Sequence, residues 1–196
     1  MKINIKALEE TVESRISPKR FAHTKRVLET ALILADKHKV DLDKTRIAAL
    51  LHDYAKDVEA EKLVRIIEDS GFLLTPLELA DPELLHGPVG AIMAREDFSI
   101  EDKDILESIK YHTTGNVGLS QLAKIIYLAD GIEPFRKYPG IEDIKKAAEK
   151  DLDEALLLSL NLSLEYLIRK GRLVHPLSIE TRNDLIMKNM RSEVIE

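Results

Sequence analysis

Ala48-Ala49-Leu50-Leu51-His52-Asp53-Tyr54-Ala55-Lys56 is the stretch around which the chain is organised. A strongly apolar run of helix formers ends in an imidazole and a carboxylate, and then a lysine. Two such groups at the buried end of an apolar helix are costly unless paired or metal-bound. The habit of this stretch extends through the sequence. Leu, Ile, Ala and Val supply the core residues, β-branched alternation is missing, tryptophan is absent and aromatics make up 5%. The expected fold is all-α, a compact bundle of about ten helices with no sheet.

Working outward, Asp41-Leu42-Asp43 opens the central helix. Before it, Ser17-Pro18 marks a helix start, with Ser as N-cap and Pro at the first helical position. That helix runs to about Lys39 and turns Phe21, Val27, Leu28, Ala31, Leu32 and Leu34 inward. Ile3 to Ser14 is a short amphipathic helix. Downstream, Val58 to Ser70 is closed by Gly71, and Thr75-Pro76-Leu77-Glu78 is a capping box. The helix after it stops around Asp81-Pro82. His86-Gly87-Pro88 begins a short helix through Met93, and Asp102 or a neighbour begins one running to His112. Ser120 caps a helix ending at Ala129-Asp130. Glu133 to Gly140 is turn-rich. Ile141 to Lys170 is one or two helices, with a break near Asp151. His175-Pro176 precedes a last helix that frays toward Glu196. With no linker, low-complexity tract or repeat, one domain over 1–196 is expected, its C-terminal helices 141–196 packing on a 17–130 core.

Composition removes several function classes. At 196 residues the chain can bury one substantial core. A formal net charge of -6 and a pI near 5.6 argue against a nucleic-acid polymer as partner. No cysteine is present, so thiolate catalysis, disulfides and Cys-ligated zinc are out, and any metal is held by nitrogen and oxygen. No run approaches 18 apolar residues and the N-terminus does not read as a signal peptide. A cytoplasmic protein with no membrane partner is expected.

The polar residues at helix ends form a set: His23, His52, Asp53, His86, His112 and Asp130. Their spacing is too wide for a zinc finger or an HExxH helix. It suits a site assembled between helices, each giving one ligand. One centre would be His23, His52, Asp53 and Asp130. The other would be Asp53, His86 and His112, with Asp53 bridging. Such nitrogen–oxygen ligation accepts Fe, Mn, Co or Zn, and two cations about 3.5–4 Å apart can clamp a phosphoryl group. Each histidine alone reads as a hydrogen-bonded core or surface residue, and spacing alone leaves both readings open. The cations Arg20, Arg26, Lys56 and Arg136 point to an anionic, phosphate-rich small substrate, with surface salt bridges as the alternative. Lys56, four residues after His52, is expected over the same face. Thr113 either caps its loop or meets substrate, and Tyr138 either packs or stacks on a base. His38 is expected solvated at a helix C-terminus, and His175 structural.

At these residues the chain resembles the HD-domain metal-dependent phosphohydrolases, and within them the bacterial symmetrical bis(5'-nucleosyl)-tetraphosphatases of the YqeK type. The likeness runs through Arg20-Phe21-Ala22-His23, the His52-Asp53 stretch, His86-Gly87-Pro88-Val89-Gly90-Ala91, and Ile109-Lys110-Tyr111-His112-Thr113-Thr114-Gly115. It continues in the block from Ile126 to Arg136 and ends in Val174-His175-Pro176 with Arg182-Asn183. The resemblance implies His23, His52, Asp53 and Asp130 at a first metal, with His86 and His112 completing a second, iron before Mn, Co or Zn. It implies a homodimer. It also implies symmetrical cleavage of diadenosine tetraphosphate to two ADP, by attack of a metal-bound hydroxide on a middle phosphate. By resemblance Lys56 and Arg136 contact phosphates; Asp53, Lys56 and Arg136 are expected to be catalytic, and Arg20, Arg26, Lys56, Thr113, Arg136 and Tyr138 to meet substrate. The rivals are an HD-type hydrolase of another small nucleotide, a nucleotide-binding regulatory module, and a plain helical dimerisation domain.

Overall fold

A computed structural model of the protein describes residues 3–193. The described residues form eleven α-helices and a single 3-10 turn at Pro82–Leu85, with no strand among them. The helices are α1 (Ile5–Arg15), α2 (Pro18–Lys37), α3 (Leu42–Leu51), α4 (Ala60–Asp69), α5 (Pro76–Ala80), α6 (His86–Phe98), α7 (Lys103–Lys110), α8 (Gln121–Ile132), α9 (Ile141–Ala148), α10 (Leu152–Arg169) and α11 (Pro176–Glu193). The all-α expectation holds. The expected fraying toward Glu196 lies outside the described residues.

Helix α3 is the hub and touches α1, α2, α6, α7 and α8. Ala48, Ala49, Leu50 and Leu51 are all fully buried. Burying each of the two leucines contributes about 1.5–3 kcal/mol. Helix α8 is apolar almost all round, as a helix with neighbours on several sides must be, and it packs against α2, α7 and α10. A second, smaller cluster of Tyr127, Leu156, Leu160 and Leu185 joins α8 to α10 and α11.

Local chemistry sets most helix ends. The side chains of Asn4, Asp41, Thr75, Asp102, Ser120 and Asp151 accept backbone N–H groups at their helix starts, and Thr75 with Glu78 completes the capping box. Asp151 marks the break between α9 and α10. Ser17 begins α2 without a side-chain cap, and its own N–H donates to Asp57 Oδ2 at 2.7 Å. Helix α6 runs five residues past the expected end at Met93, to Phe98. It is held there by a polar residue, because the Tyr54 hydroxyl donates to Asp97 at 3.1 Å. His38 is not simply solvated: it is half-buried, with Nε2 2.7 Å from the Ala148 carbonyl.

Helices α6 and α7 meet unusually closely. A Cβ on Gly87 would lie 2.6 Å from the Lys110 carbonyl oxygen. Only glycine permits that approach, and it sets His86 beside His112.

Candidate metal centre

Five segments meet at one point. His52 follows the last turn of α3, Asp53 opens the turn after it, His86 begins α6, His112 lies just past α7, and Asp130 sits in the last turn of α8. His23 comes from the second turn of α2. Their donor atoms form two trios, His23 with His52 and Asp130, and Asp53 with His86 and His112. Within each trio the atoms lie within 4.8 Å of one another. Asp53 faces both. Its Oδ2 is 3.5 Å from His52 Nε2 and 3.7 Å from His23 Nε2, while its Oδ1 is 3.4 Å from His86 Nε2 and 3.6 Å from His112 Nε2. Asp130 Oδ1 is 3.1 Å from His23 Nε2.

The tautomers show what these atoms can bind. The ring Nδ1 of His52, His86 and His112 each meets a backbone carbonyl three residues earlier, at Ala49, Glu83 and Ile109. A carbonyl only accepts, so each Nδ1 carries a proton, and in the neutral ring each Nε2 presents a lone pair. His86 Nε2 and His112 Nε2 then face each other at 3.0 Å, lone pair to lone pair. Two acceptors at that distance repel unless a positive charge lies between them. His23 Nε2 and His52 Nε2 are buried with no hydrogen-bond partner among the described residues. A buried orphan acceptor costs about 1–3 kcal/mol. The donor set therefore fits divalent cations, with the second ring nitrogen of every histidine tied as a metal ligand requires.

The electrostatics agree. Burial pushes the Asp53 carboxyl up, and the surrounding imidazoles, His52 first, outweigh it and hold the group well below the usual carboxylate range. Asp130 is likewise held low against burial, first by the neighbouring His23 ring, 3.1 Å from its Oδ1, then by His52 and Arg136. Burial, then His112 and Lys56, push His86 down to about 3, so it is neutral at pH 7. Burial disfavours charge on His52, yet the neighbouring Asp53 carboxylate outweighs it and raises the group. A field that favours a proton at that nitrogen favours a metal cation there as well.

The cations take up less uniform positions. Arg20 Nη1 donates to Asp53 Oδ2 at 2.7 Å, Arg26 Nε to Glu133 Oε2 at 2.7 Å, and Arg136 Nη2 to Asp130 Oδ1 at 2.6 Å. Lys56 does not lie over His52 as helical spacing predicts. The helix ends at Leu51, residues 52–57 are turn, and Lys56 Nζ sits 3.5 Å from His86 Nδ1 and 3.8 Å from Glu83. A cavity of about 840 Å³ opens beside the trios, lined by His112, Thr113, Asp130, Arg136, Tyr138 and Tyr166 among others. Thr113 Oγ1 is buried there without a partner among the described residues, while the Tyr138 hydroxyl donates to the Gly131 carbonyl at 3.0 Å. His175 lies at the start of α11, its Nδ1 accepting from the Leu177 N–H.

Glu133 is the site residue that sequence reasoning passed over. It is 3% exposed and its Oε1 is 3.4 Å from His23 Nδ1. Burial raises its carboxyl, and Arg26 with the Phe135 N–H outweighs that and holds it low. Its signal was its register. Three residues past Asp130, at the end of α8, it falls on the same helical face.

The HD domain family matches residues 20–134, which contain all six residues of the two trios. The chain belongs to the HD-domain family. It is similar to a Bacillus subtilis protein named symmetrical bis(5'-nucleosyl)-tetraphosphatase, 40% identical over 177 residues that cover 89% of this chain and 94% of that one. It is 35% identical to a Mycoplasma genitalium protein named probable nicotinate-nucleotide adenylyltransferase/Ap4A hydrolase, over 76% of this chain and 44% of that one. A crystal structure from Clostridium acetobutylicum, described as a predicted HD superfamily hydrolase involved in NAD metabolism, superposes with a TM-score of 0.91. It is 38% identical, and the match covers 96% of this chain and all of that one. The expected likeness to the tetraphosphatase branch thus spans nearly the whole chain. No helix among the described residues is long and apolar enough to cross a membrane.

Proposed function

We propose that the chain hydrolyses diadenosine tetraphosphate, and related dinucleoside tetraphosphates, symmetrically to nucleoside diphosphates, with the two trios holding two divalent cations. One observation carries the reading. A single buried carboxylate, Asp53, turns one oxygen to each pair of imidazole Nε2 atoms, beside a large cavity that His112 and Asp130 line. The tetraphosphatase names of relatives matched over most of their length supply the substrate. His23, His52, Asp53 and Asp130 would hold one ion, and Asp53, His86 and His112 the other. Bound cations supply Lewis acidity, lowering the pKa of water and neutralising phosphoryl oxygens.

The chain's own groups do the rest. Arg136 donates from Nε to the Asp130 carbonyl and from Nη2 to its carboxylate. Its remaining guanidinium donors are left for the polyphosphate. Lys56, beside His86, supplies a point charge to the phosphate chain and to the departing ADP. Thr113 offers its unpartnered hydroxyl to a phosphate oxygen. The rings of Tyr138 and Tyr166 give a nucleoside a stacking surface. Arg20 and Arg26 hold Asp53 and Glu133, and act through those carboxylates and through charge. The chain is acidic overall, yet here Arg20, Arg26, Lys56 and Arg136 balance the carboxylates Asp53, Glu133, Glu83 and Asp130 one for one, so bound cations would make the site attractive to a polyanion.

Water oxygen joins a middle phosphorus, the bridging P–O bond breaks, and the leaving ADP takes up the proton. Iron as the metal, a homodimeric assembly, a cytoplasmic location and one catalytic unit over 1–196 complete the proposal. Chromatography of the products is the test. Diadenosine tetraphosphate gives ADP alone, turnover stops with chelator, and heavy-oxygen water labels one of the two ADP molecules. ATP with AMP would overturn the symmetrical cut, and nucleoside or pyrophosphate from another nucleotide would favour the same-fold rival.

A further inference from the structure

Three of the four imidazoles at the centre are oriented by backbone. His52, His86 and His112 all lie at helix ends, where a carbonyl three residues back is accessible to Nδ1. His23 lies inside α2, where the preceding carbonyls are taken by the helix's own N–H groups. Its Nδ1 turns instead to a side chain, Glu133 Oε1, at 3.4 Å.

Glu133 is itself fixed from two directions. Its Oε2 accepts from Arg26 Nε at 2.7 Å and from the Phe135 N–H at 2.8 Å. Arg26 is anchored in turn to the Ala22 carbonyl at 2.9 Å and lies over the Phe135 ring, 4.4 Å from its centroid. The carboxylate therefore cannot follow His23 if the ring swings. With the proton held at Nδ1, the lone pair at Nε2 faces Asp130 and Asp53, and that nitrogen is buried without a partner among the described residues.

We infer that Glu133 is a positioning residue that fixes the His23 ring through Nδ1 and thereby supports metal binding at the His23–His52–Asp130 trio but not at the Asp53–His86–His112 trio. The inference rests on reading the trios as metal sites. Groups of this kind behind a ligand histidine change metal affinity by about 10–100-fold when removed. The Nδ1 acceptors of the other three histidines are backbone carbonyls, which no side-chain truncation removes.

Glu133→Gln keeps the shape and an acceptor oxygen while removing the charge that orients the ring and pairs with Arg26. Metal-stripped wild type and E133Q are titrated with Co(II), followed by visible absorption and calorimetry, with circular dichroism of both proteins before metal is added. The expected result is two sites in wild type and, in E133Q, one site weakened about 10–100-fold with the other unchanged. Two unchanged sites overturn the inference alone. Equal weakening of both, with loss of helicity in the stripped protein, also overturns it and makes Glu133 merely structural. If E133Q fails to fold, Arg26→Met, which leaves Glu133 in place but unanchored, decides by the same readout: selective weakening supports the inference and unchanged sites overturn it. Wild type that binds no Co(II) overturns both the inference and the metal sites it rests on. Two bound ions without ADP release overturn only the proposed substrate.

Discussion

Asp53→Ala is expected to empty both metal sites and abolish hydrolysis, lowering kcat/KM by about 10⁴-fold or more, a loss of roughly 5–6 kcal/mol of transition-state stabilisation. The geometry makes this residue unlike its neighbours. Its Oδ2 serves the His23 and His52 side and its Oδ1 the His86 and His112 side, at 3.4–3.7 Å throughout. Removing it takes one anionic donor from each group, and both groups are otherwise rich in imidazole. His86→Ala removes a ligand from one group only and is expected to retain the other ion. Metal per chain, measured by plasma mass spectrometry beside ADP release, compares the two variants. Equal metal retention would contradict a shared carboxylate. Asp53→Asn, which keeps the shape and can still accept from Arg20, guards against a result caused by unfolding.

Gly87→Ala is the second large effect. The added Cβ would lie 2.6 Å from the Lys110 carbonyl oxygen and 3.3 Å from both the Ile109 oxygen and the Lys110 carbonyl carbon. All three are backbone atoms, so no side chain can swing aside and α6 has to move from α7. Overpacking of this kind costs about 1–3 kcal/mol, or a drop of roughly 2–12 °C in Tm for a chain of this size. The functional loss exceeds the stability loss. His86 begins α6 and His112 follows α7, so parting the helices separates nitrogens now 3.0 Å apart. A displacement on the order of 1 Å at a catalytic site costs about 10²-fold in rate. A thermal melt and the metal content of the variant check this. Wild-type values for both would show that α6 and α7 need no glycine between them.

Much of the fold is legible because its punctuation is local. Pro18, the Thr75–Glu78 box, Asp102, Ser120 and Asp151 each act within one turn of their own position, and the helices start where they say. The end of α6 is not legible in this way. The helix is expected to end at Met93, and the contact that accompanies its extension, Tyr54 from the turn after α3 reaching Asp97, is tertiary. The six metal-competent residues could be collected because each stands at a helix terminus or beside an apolar run, a property of the sequence itself. Their partners could not. Arg20 meets Asp53 across 33 residues and Arg26 meets Glu133 across 107, and only tertiary packing brings them together. Both arginines therefore read as substrate contacts in the sequence and stand on carboxylates in the structure. Lys56 was placed by helical spacing past the point where the helix stops.

Each of the three carboxylates around the centre, Asp53, Glu133 and Asp130, carries an arginine from this same chain. Buried negative charge left alone would oppose folding, and here it is balanced before any ion arrives. Small metal-dependent domains use the ion to fold, and without it they are lost. Here the arginines already answer the carboxylates, and what is left for a cation to relieve is the set of facing imidazole nitrogens of His23, His52, His86 and His112.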